Sequence, residues 1–399
     1  MNSTNNELKL IKNIFIMNKN IGMADFLTKQ IPTYLGNKRK LLPELEKCIH
    51  DIKHILNQDT IVSGDGFSGT GIVSRLLKLH STSLLTNDIA GYSKTLNQCF
   101  LSTPNKKELA KLKTFIKKAN EYAHMTPSNP DDHVQWIEKY WAPKDDINIK
   151  ATERVYFTQE NGCLIDRYRH FIERIPAKYQ PYLLALLLVE ASIHNNTNGQ
   201  FSAFYKKDGR GEYGGKTGTD IKRITQKIIL PQQPVLSAHK CKVFISQQDT
   251  NEWVKTLPPV DIMYFDPPYN KHPYSIYYFL LDIINNWNVE EKIPDTYRGQ
   301  PKTWSKSAYN SFVKARYAFE HLICNTRAKF ILVSYNNGGI IPLDELETIL
   351  KKYGSITKRP VVHKTYNKLK GIANYKRKKK KEKITEFIWI LDRRAFLNL

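Results

Sequence analysis

The stretch IVSGDGFSGTGIVSRLL, residues 61–77, constrains the fold more than any other part of the sequence. It contains a short β-branched run, a turn with four glycines and then apolar residues at helical spacing. SLLTNDI, which follows at residues 83–89, has the composition of a second strand. These segments predict a β-α-β unit whose glycine turn lies at the carboxyl end of the first strand, where open α/β sheets bind ligands.

The glycine turn fits two classes of ligand. Beginning at Gly64 it reads G-x-G-x-x-G, and Asp88 follows roughly 20 residues later, as in dinucleotide-binding folds. Beginning at Asp65 it reads D-x-F-S-G-T-G, in which Gly69 and Gly71 let the backbone approach a ligand that carries no phosphate. The turn alone leaves both interpretations open.

Regular patterns resume after a long irregular region. Residues 101–150 have no clear period, whereas DRYRHFIERI and PYLLALLLVEASI have helical spacing. Three later segments have the composition of strands: KVFISQQD, VDIMYF and KFILVSY. Helices are expected near 276–286 and 305–326. A closing antiparallel pair of strands is predicted from ITKRPVVHKTY and ITEFIWIL. We therefore expect an α/β fold with one doubly wound, mostly parallel sheet, whose two parts (31–100 and 241–399) are separated by a large, mainly helical insertion (101–240).

The charge of the chain indicates its class of partner. Lys and Arg number 61 against 38 Asp and Glu, which gives a formal charge of +23. An excess of this size favours a polyanionic partner, and nucleic acid is the first candidate. The alternative is a solubility charge, or the Lys-rich composition that an A+T-rich genome produces.

Composition also sets the expected compartment. No apolar run approaches the roughly 18 residues of a membrane span, and the N-terminus has no signal-peptide pattern, so we expect a cytoplasmic, DNA-associated protein. The five cysteines form no C-x-x-C pair. This argues against a disulfide framework and against a zinc site, and we expect no bound metal.

The segment VDIMYFDPPYN, residues 260–270, carries the chemistry. An apolar strand ends in Asp266, Pro267, Pro268 and Tyr269, and the two prolines make the tetrapeptide rigid. A carboxylate and a main-chain carbonyl could accept hydrogen bonds from the two N–H groups of a base amine, which would free the lone pair of its nitrogen. An aromatic ring could stack on the base at the same time. The alternative is a simple strand-ending turn.

Several motifs together resemble the DNA adenine-N6 methyltransferases in which the cofactor motifs precede the catalytic one. The resemblance covers the chain from about residue 31, and its motifs are YLGNKRKLLP (34–43), DGFSGTG (65–71), TND (86–88) and DPPY (266–269). It implies a Rossmann-like fold, S-adenosyl-L-methionine as the cofactor, and methyl transfer to the N6 amine of an adenine that is flipped out of duplex DNA. It also implies a role in restriction-modification, with the possibility of a separately encoded endonuclease as partner.

The resemblance also implies residue roles. The catalytic motif is Asp266, Pro267, Pro268 and Tyr269, with Tyr269 stacking on the flipped base. Lys38 is expected at the carboxylate of the cofactor, Asp65 at its ammonium, Asp88 at its ribose and Asp249 at its adenine amine. The full set implied to bind the cofactor is Tyr34, Lys38, Asp65, Phe67, Gly69, Gly71, Asp88, Asp249 and Asp266.

Other activities remain as alternatives. Methylation of RNA adenine is hard to separate from residues alone, whereas enzymes that methylate protein glutamine usually have Asn in place of Asp266. Those that methylate cytosine N4 typically have Ser or Thr there. Cytosine C5 methylation is excluded because no cysteine follows a proline. A catalytically inactive DNA-binding regulator would show an eroded glycine turn or DPPY motif, and both motifs are intact.

The expected DNA contacts lie outside the methyltransferase motifs. We assign them to the insertion, roughly residues 100–240, and to the basic run YKRKKKKEK at 375–383. Lys206, Lys207 and Arg210 in a glycine-rich loop are candidates for contacts to bases or phosphates. The basic run is equally compatible with a solvated hairpin tip.

Overall fold

The fold is taken from a computed structural model of the 399-residue chain. It describes residues 21–33, 36–125, 134–205, 213–215, 218–301, 307–361 and 385–398. Within these ranges the strands are β1 Ile61–Asp65, β2 Ser81–Asn87, β3 Lys242–Ser246, β4 Val260–Phe265, β5 Ala328–Asn336, β6 Ser355–Val361 and β7 Glu386–Asp392.

Fourteen α-helices belong to the described chain. They are α1 Ile21–Thr28, α2 Leu42–Leu56, α3 Ile72–His80, α4 Gly91–Phe100, α5 Lys106–His124, α6 Ile137–Trp141, α7 Gln159–Glu173, α8 Gln180–Ile193, α9 Ile221–Thr225, α10 Thr250–Trp253, α11 Tyr274–Tyr277, α12 Phe279–Asn286, α13 Ala315–Asn325 and α14 Leu343–Lys351. A 3-10 turn over Lys38–Leu41 leads into α2.

The described strands form one mixed sheet in the order β3-β2-β1-β4-β5-β7-β6. The five strands from β3 to β5 pair in parallel, and β7 runs antiparallel to both β5 and β6. The strand order reverses between β1 and β4, which makes the crevice between their carboxyl ends the expected ligand position. The expected α/β class, mostly parallel sheet and closing antiparallel pair are confirmed.

Both faces of the sheet are covered. Successive residues of β4 and β5 alternate between two apolar clusters, one of which includes Ile262 and Leu332 with helices α1 to α3. The other includes Met263 and Val333 with α10, α13 and α14. This alternation is the period of two that strands impose, and it confirms a sheet with helices on both sides.

The chain between β2 and β3 carries helices α4 to α9. Helices α4, α5, α7 and α8 share a third apolar cluster with α12. The sequence patterns did not predict α5, because residues 101–150 have no clear period, yet Asn105 and Glu108 form a capping box at its start. The predicted helix at 305–326 is shorter than expected: α13 begins only at Ala315, after a 3-10 turn over Ala308–Asn310.

Arg75 ties the N-terminal helix to the glycine turn. Its side chain is fully buried on α3, and it donates hydrogen bonds of 2.9 Å to the carbonyl oxygens of Phe26, Lys29 and Gln30 at the end of α1. The guanidinium also lies 4.0 Å from the ring centroid of Phe100. Burial lowers the pKa of Arg75 to about 9. Its three acceptors are neutral, so hydrogen bonds rather than an ion pair compensate this charge.

Replacing Arg75 with methionine should destabilise the fold strongly, because three carbonyl groups at the end of α1 lose the donor that the buried guanidinium supplies. We expect the free energy of unfolding to fall by about 3 kcal/mol or more, measured by chemical denaturation. Arg316 is half exposed, and the matched change Arg316→Met should alter stability by less than about 0.5 kcal/mol. Equal effects of the two changes would contradict a structural role for Arg75.

Candidate active site

Two neighbouring parallel strands bring the glycine turn and the DPPY motif together. Asp65, the last residue of β1, pairs with Tyr264 of β4, two residues before Asp266. The backbone N–H of Gly66 continues this pairing with a 3.0 Å hydrogen bond to the carbonyl of Tyr264. The two motifs therefore share one edge of the sheet, as the sequence predicts.

The glycine turn depends on left-handed backbone conformations. Gly69 and Gly71 have φ angles of +50° and +76°, which residues with a Cβ rarely adopt. A Cβ on Gly71 would also lie 2.4 Å from Oδ1 of Asn97. The N–H of Gly69 donates a 2.7 Å hydrogen bond to Oδ2 of Asp88, which ties the turn to the end of β2. The turn thus presents bare backbone to the space above the strands.

A cavity of about 400 Å³ lies at this edge of the sheet. Three predicted site residues do not line the cavity but adjoin lining residues in the sequence: Gly71, Pro267 and Tyr269. Tyr34 lies outside the described residues, as do Lys206, Lys207, Arg210 and the run 375–383. The predicted site residues that line the cavity are Lys38, Asp65, Phe67, Gly69, Asp88, Asp249, Asp266 and Pro268.

The cavity is acidic although the whole chain is strongly basic. Among the described lining residues, Lys38 is the only basic side chain. The acidic ones number six: Asp65, Asp88, Asp249, Asp266, Asp282 and Glu291. Phosphates of a dinucleotide would be repelled here, whereas a ligand with positive charge or hydroxyl donors is complementary. This charge balance favours the second interpretation of the glycine turn.

Burial perturbs the carboxyl groups at the strand ends. Asp65 is 1% exposed, and burial raises its pKa to about 7, although it accepts a 2.6 Å hydrogen bond from the hydroxyl of Ser74. Burial also raises the pKa of Asp88, which accepts hydrogen bonds from the N–H groups of Gly69 and Ala90. Both groups would ionise more easily beside a cation.

Two further carboxyl groups line the cavity, and only one of them was predicted from the sequence. Asp282 on α12 was not predicted, yet burial, with the nearby charge of Asp88, raises its pKa to about 7. Asp249 was predicted, and it is exposed at the start of α10, where it accepts hydrogen bonds from the backbone N–H groups of Asn251 and Glu252. Asp249 thus caps the N-terminus of α10, and it also lines the cavity.

Three donors converge on one oxygen of the catalytic-motif aspartate. Oδ1 of Asp266 is contacted by the hydroxyl of Tyr269, by the hydroxyl of Ser334 at 3.2 Å and by the ammonium of Lys38 at 3.2 Å. Within the described part of the chain these contacts leave Oδ2 as the second acceptor. Burial raises the pKa of Asp266 to about 6, although the charge of Lys38 opposes this rise. The carboxyl group is thereby oriented and can ionise near neutral pH.

Lys38 contacts protein carboxylates. Its side chain is about 5% exposed and lies between Asp266 and Glu386, at the hydroxyl of Tyr269. Burial alone would lower the pKa of Lys38, but the charges of Asp266 and Glu386 raise it above its ordinary value. Glu386 was not predicted, because no motif marks it and 120 residues separate it from Asp266.

Tyr269 is enclosed by its neighbours. It is 8% exposed, its ring packs edge-on against Tyr335 with centroids 4.8 Å apart, and the ammonium of Lys38 lies 4.5 Å from its centroid. The backbone carbonyl of Tyr269 accepts a hydrogen bond from the N–H of Ile340. The motif predicted a stacking ring, whereas the hydroxyl's contact with Asp266 could be seen only in the structure.

Comparison with known proteins identifies the family. The family model described as D12 class N6 adenine-specific DNA methyltransferase matches residues 34–349. The chain belongs to this family. The expected resemblance to DNA adenine-N6 methyltransferases is confirmed, and the mixed α/β sheet is consistent with a methyltransferase fold. A family of this kind uses a methyl donor.

Curated relatives of this D12 class chain include several restriction-modification methylases. The modification methylase LlaI of Lactococcus lactis subsp. lactis is 30% identical over 335 residues, 80% of this chain and 48% of that protein. The type II methyltransferase M.NlaIII of Neisseria lactamica is 27% identical over 90% of this chain and 99% of its own length. M.FokI of Planomicrobium okeanokoites is 28% identical over 90% and 52%. The chain thus spans about half of LlaI and M.FokI.

In the parts of the D12 class chain that the structure covers, none of the helices combines the length and the apolar character needed to cross a membrane.

Ionising Asp65 in the folded protein should reduce stability. Its pKa is about 7 in the fold and about 3.9 in an unfolded chain, so the folded state binds more protons between these values. The free energy of unfolding contributed by this group is therefore highest below about pH 4 and falls as pH rises to about 7. Asp65→Asn should remove this dependence and gain up to about 4 kcal/mol relative to wild type between about pH 4 and pH 8.

The measurement is denaturation of both proteins across this pH range. Ser74→Ala is a matched variant with the opposite effect. The hydroxyl of Ser74 stabilises the ionised carboxylate of Asp65, so its removal should make the free energy of unfolding fall further as pH rises. Parallel stability curves for wild type and Asp65→Asn would contradict the assigned pKa.

Proposed function

We propose that this protein transfers the methyl group of S-adenosyl-L-methionine to the N6 amine of adenine in a specific sequence of duplex DNA. The observation that carries the proposal is the position of Asp266. Three donors hold one of its oxygens in the wall of an acidic cavity formed with the glycine turn. A cofactor cavity and an acceptor for the target amine thus share one wall.

The residues of the cavity fit S-adenosylmethionine. Its ammonium and sulfonium are positive, which suits a wall with six acidic side chains and one basic one. The bare backbone at Gly69 and Gly71 allows close approach. When bound, S-adenosylmethionine supplies a methyl group that its positive sulfur makes electrophilic.

We assign the contacts from the charges and positions of the side chains. Asp65 would hold the ammonium, and Asp88 and Asp282 lie near each other where the ribose hydroxyls would donate hydrogen bonds. Asp249 and Phe67 would bind the adenine. Lys38 would reach the cofactor carboxylate only in addition to its contacts with Asp266 and Glu386.

The chemistry of the target amine follows from the DPPY motif. The lone pair of an exocyclic amine is delocalised into the base, so the amine is a weak nucleophile. Oδ2 of Asp266 and a main-chain carbonyl of the motif would accept hydrogen bonds from its two N–H groups and localise the lone pair on nitrogen. Once the nitrogen carries the methyl group and a positive charge, the carboxylate of Asp266 would accept one of its protons. The adenine must leave the duplex to reach this position, and the ring of Tyr269 would stack on it.

We place the DNA on the catalytic edge of the sheet. The basic run 375–383 is outside the described residues, but its attachment points are described. Val361 ends β6 and pairs with Glu386, which begins β7 beside Asn336 at the end of β5. Residues 362–385 therefore leave and re-enter the sheet at the edge that carries Asp266. This position supports contact with DNA phosphates, together with contacts from the segment 101–240.

The relatives support a biological setting. Their names describe modification and type II methylases, so we propose that this protein protects host DNA from a separately encoded endonuclease. The discriminating experiment is transfer of radiolabelled methyl groups to duplex DNA, structured RNA and DNA in which N6-methyladenine replaces adenine. Transfer to RNA alone, or unchanged labelling of the premethylated DNA, would overturn the proposal.

Substitutions in the DPPY motif should slow methylation to different extents. Asp266→Ala should slow single-turnover methylation by about 100-fold or more, because it removes an electrostatic partner of the transition state. Tyr269→Phe keeps the ring and loses one hydrogen bond to Asp266, which should slow the reaction only about 2- to 10-fold. Tyr269→Ala also loses stacking worth about 1–3 kcal/mol, so it should be slower than the phenylalanine variant.

The measurement combines single-turnover methylation with fluorescence of 2-aminopurine at the target position, which reports flipping. DNA affinity should persist in Asp266→Ala. An Asp266→Ala protein with near wild-type rates, or a Tyr269→Phe protein as slow as Tyr269→Ala, would contradict these roles.

Affinity for DNA should depend steeply on salt. If the basic run binds phosphates, replacing Lys379 and Lys380 with glutamine should reduce the slope of log affinity against log salt by about 0.9 for each phosphate that a lysine no longer neutralises. The matched control replaces Lys351 and Lys352, exposed at the end of α14, and should leave the slope unchanged. Equal salt dependence in wild type and both variants would mean that the basic run does not contact DNA phosphates.

A further inference from the structure

The buried ammonium of Lys38 is shared unequally between two carboxylates. It lies 3.2 Å from Oδ1 of Asp266 and closer to Oε1 of Glu386. The hydroxyl of Tyr269 contacts Asp266 and lies 3.3 Å from the same oxygen of Glu386. One cation and one hydroxyl therefore serve two acids, and the shorter contact of Lys38 is with the acid outside the DPPY motif.

Glu386 reaches the ammonium of Lys38 from a distant part of the chain. It is the first residue of β7, two strands away from β4, and it reaches the site because β7 is antiparallel to β5. Lys38 comes from the 3-10 turn before α2. Three separate parts of the chain thus meet at one ammonium group, and Glu386 itself is not part of the cavity wall.

Without Glu386, Lys38 would have Asp266 as its remaining carboxylate partner in this group. A buried ammonium cannot remain unpaired at low cost, so it would move onto Asp266. It would then neutralise the carboxylate and compete with the target amine for its acceptor oxygens. Glu386 therefore limits how strongly Lys38 binds Asp266.

We propose that Glu386 is a positioning residue for methyl transfer: it draws the ammonium of Lys38 away from Asp266, so that Oδ2 of Asp266 stays available to the target amine. This proposal depends on the adenine methylation proposed above. Glu386 does not itself line the cavity, and we assign its effect to its contact with the ammonium of Lys38.

The charged groups around Asp266 give the sign of the pH effect. Among the residues that the structure describes, they are Lys38, Glu386 and Asp65, with the hydroxyls of Tyr264, Tyr269, Tyr274 and Tyr335 as titratable neighbours. The negative charge of Glu386 raises the pKa of Asp266 and also that of Lys38. Neutralising Glu386 should lower both pKa values.

The test is Glu386→Gln in the full-length protein, which keeps the side-chain shape and removes the charge. We expect single-turnover methylation at neutral pH to slow by about 10-fold or more, with cofactor affinity by calorimetry within about 2-fold of wild type. The acid limb of the pH–rate profile should move to lower pH. The ammonium of Lys38, followed by NMR of labelled lysine, should titrate at lower pH than in wild type.

Glu347→Gln is the matched control. Glu347 on α14 contacts Trp389 of the same strand β7 and forms an ion pair with Lys358, but lies outside the group around Asp266. It should leave the rate, the acid limb and the titration of Lys38 unchanged. An acid limb that moves equally in both variants would overturn the proposal, since a general effect on β7 would explain it.

A double variant tests whether Glu386 acts through Lys38. Lys38→Met together with Glu386→Gln removes the ion pair without leaving one charge buried alone. In the Lys38→Met background, Glu386→Gln should change the rate by less than about 2-fold. A further 10-fold decrease would overturn the proposal. Wild-type methylation of adenine is measured first, so its absence would refute the proposed function, whereas additive effects in an active enzyme would refute only the role of Glu386.

Discussion

Negative charge collected in one cavity is the constraint on which the site depends. In a chain with a formal charge of +23, the described cavity residues include six acids and one base. Ionised carboxylates are costly to bury, so each needs compensation. Ser74 supplies it for Asp65, backbone N–H groups supply it for Asp88, and Lys38 supplies it for Asp266. The compensation is incomplete, as the raised pKa values show. A bound cationic ligand would complete it.

The sequence predicted the part of the site that lies at strand ends. Asp65, Asp88 and Asp266 each follow an apolar run, and parallel strands in one sheet bring such ends together. Asp282 and Glu386 were missed because no local pattern marks them. Asp282 reaches the cavity from a helix, and Glu386 is placed by the pairing of β7 with β5. Pairing between distant segments is a tertiary property that local periodicity does not carry.

The same distinction applies to the fold. The first β-α-β unit and the closing antiparallel pair were predictable, because alternation and glycine spacing encode them locally. Helix α5 was missed because only four of its positions, Leu112, Ile116, Ala119 and Ala123, are buried among many lysines. The expected helix at 305–326 was too long, because helical spacing does not mark where α13 begins. Helix ends depend on caps and on packing partners as well as on period.

The reversed direction of β7 also fixes where the connection between β6 and β7 meets the sheet. Because Val361 and Glu386 face each other, the connection between β6 and β7 is closed at its base by backbone pairing. Its length and sequence can therefore change during evolution without shifting the register of β5, β6 or β7. Whatever the length of the segment that it closes, the paired base keeps Glu386 at the start of β7 and beside Lys38.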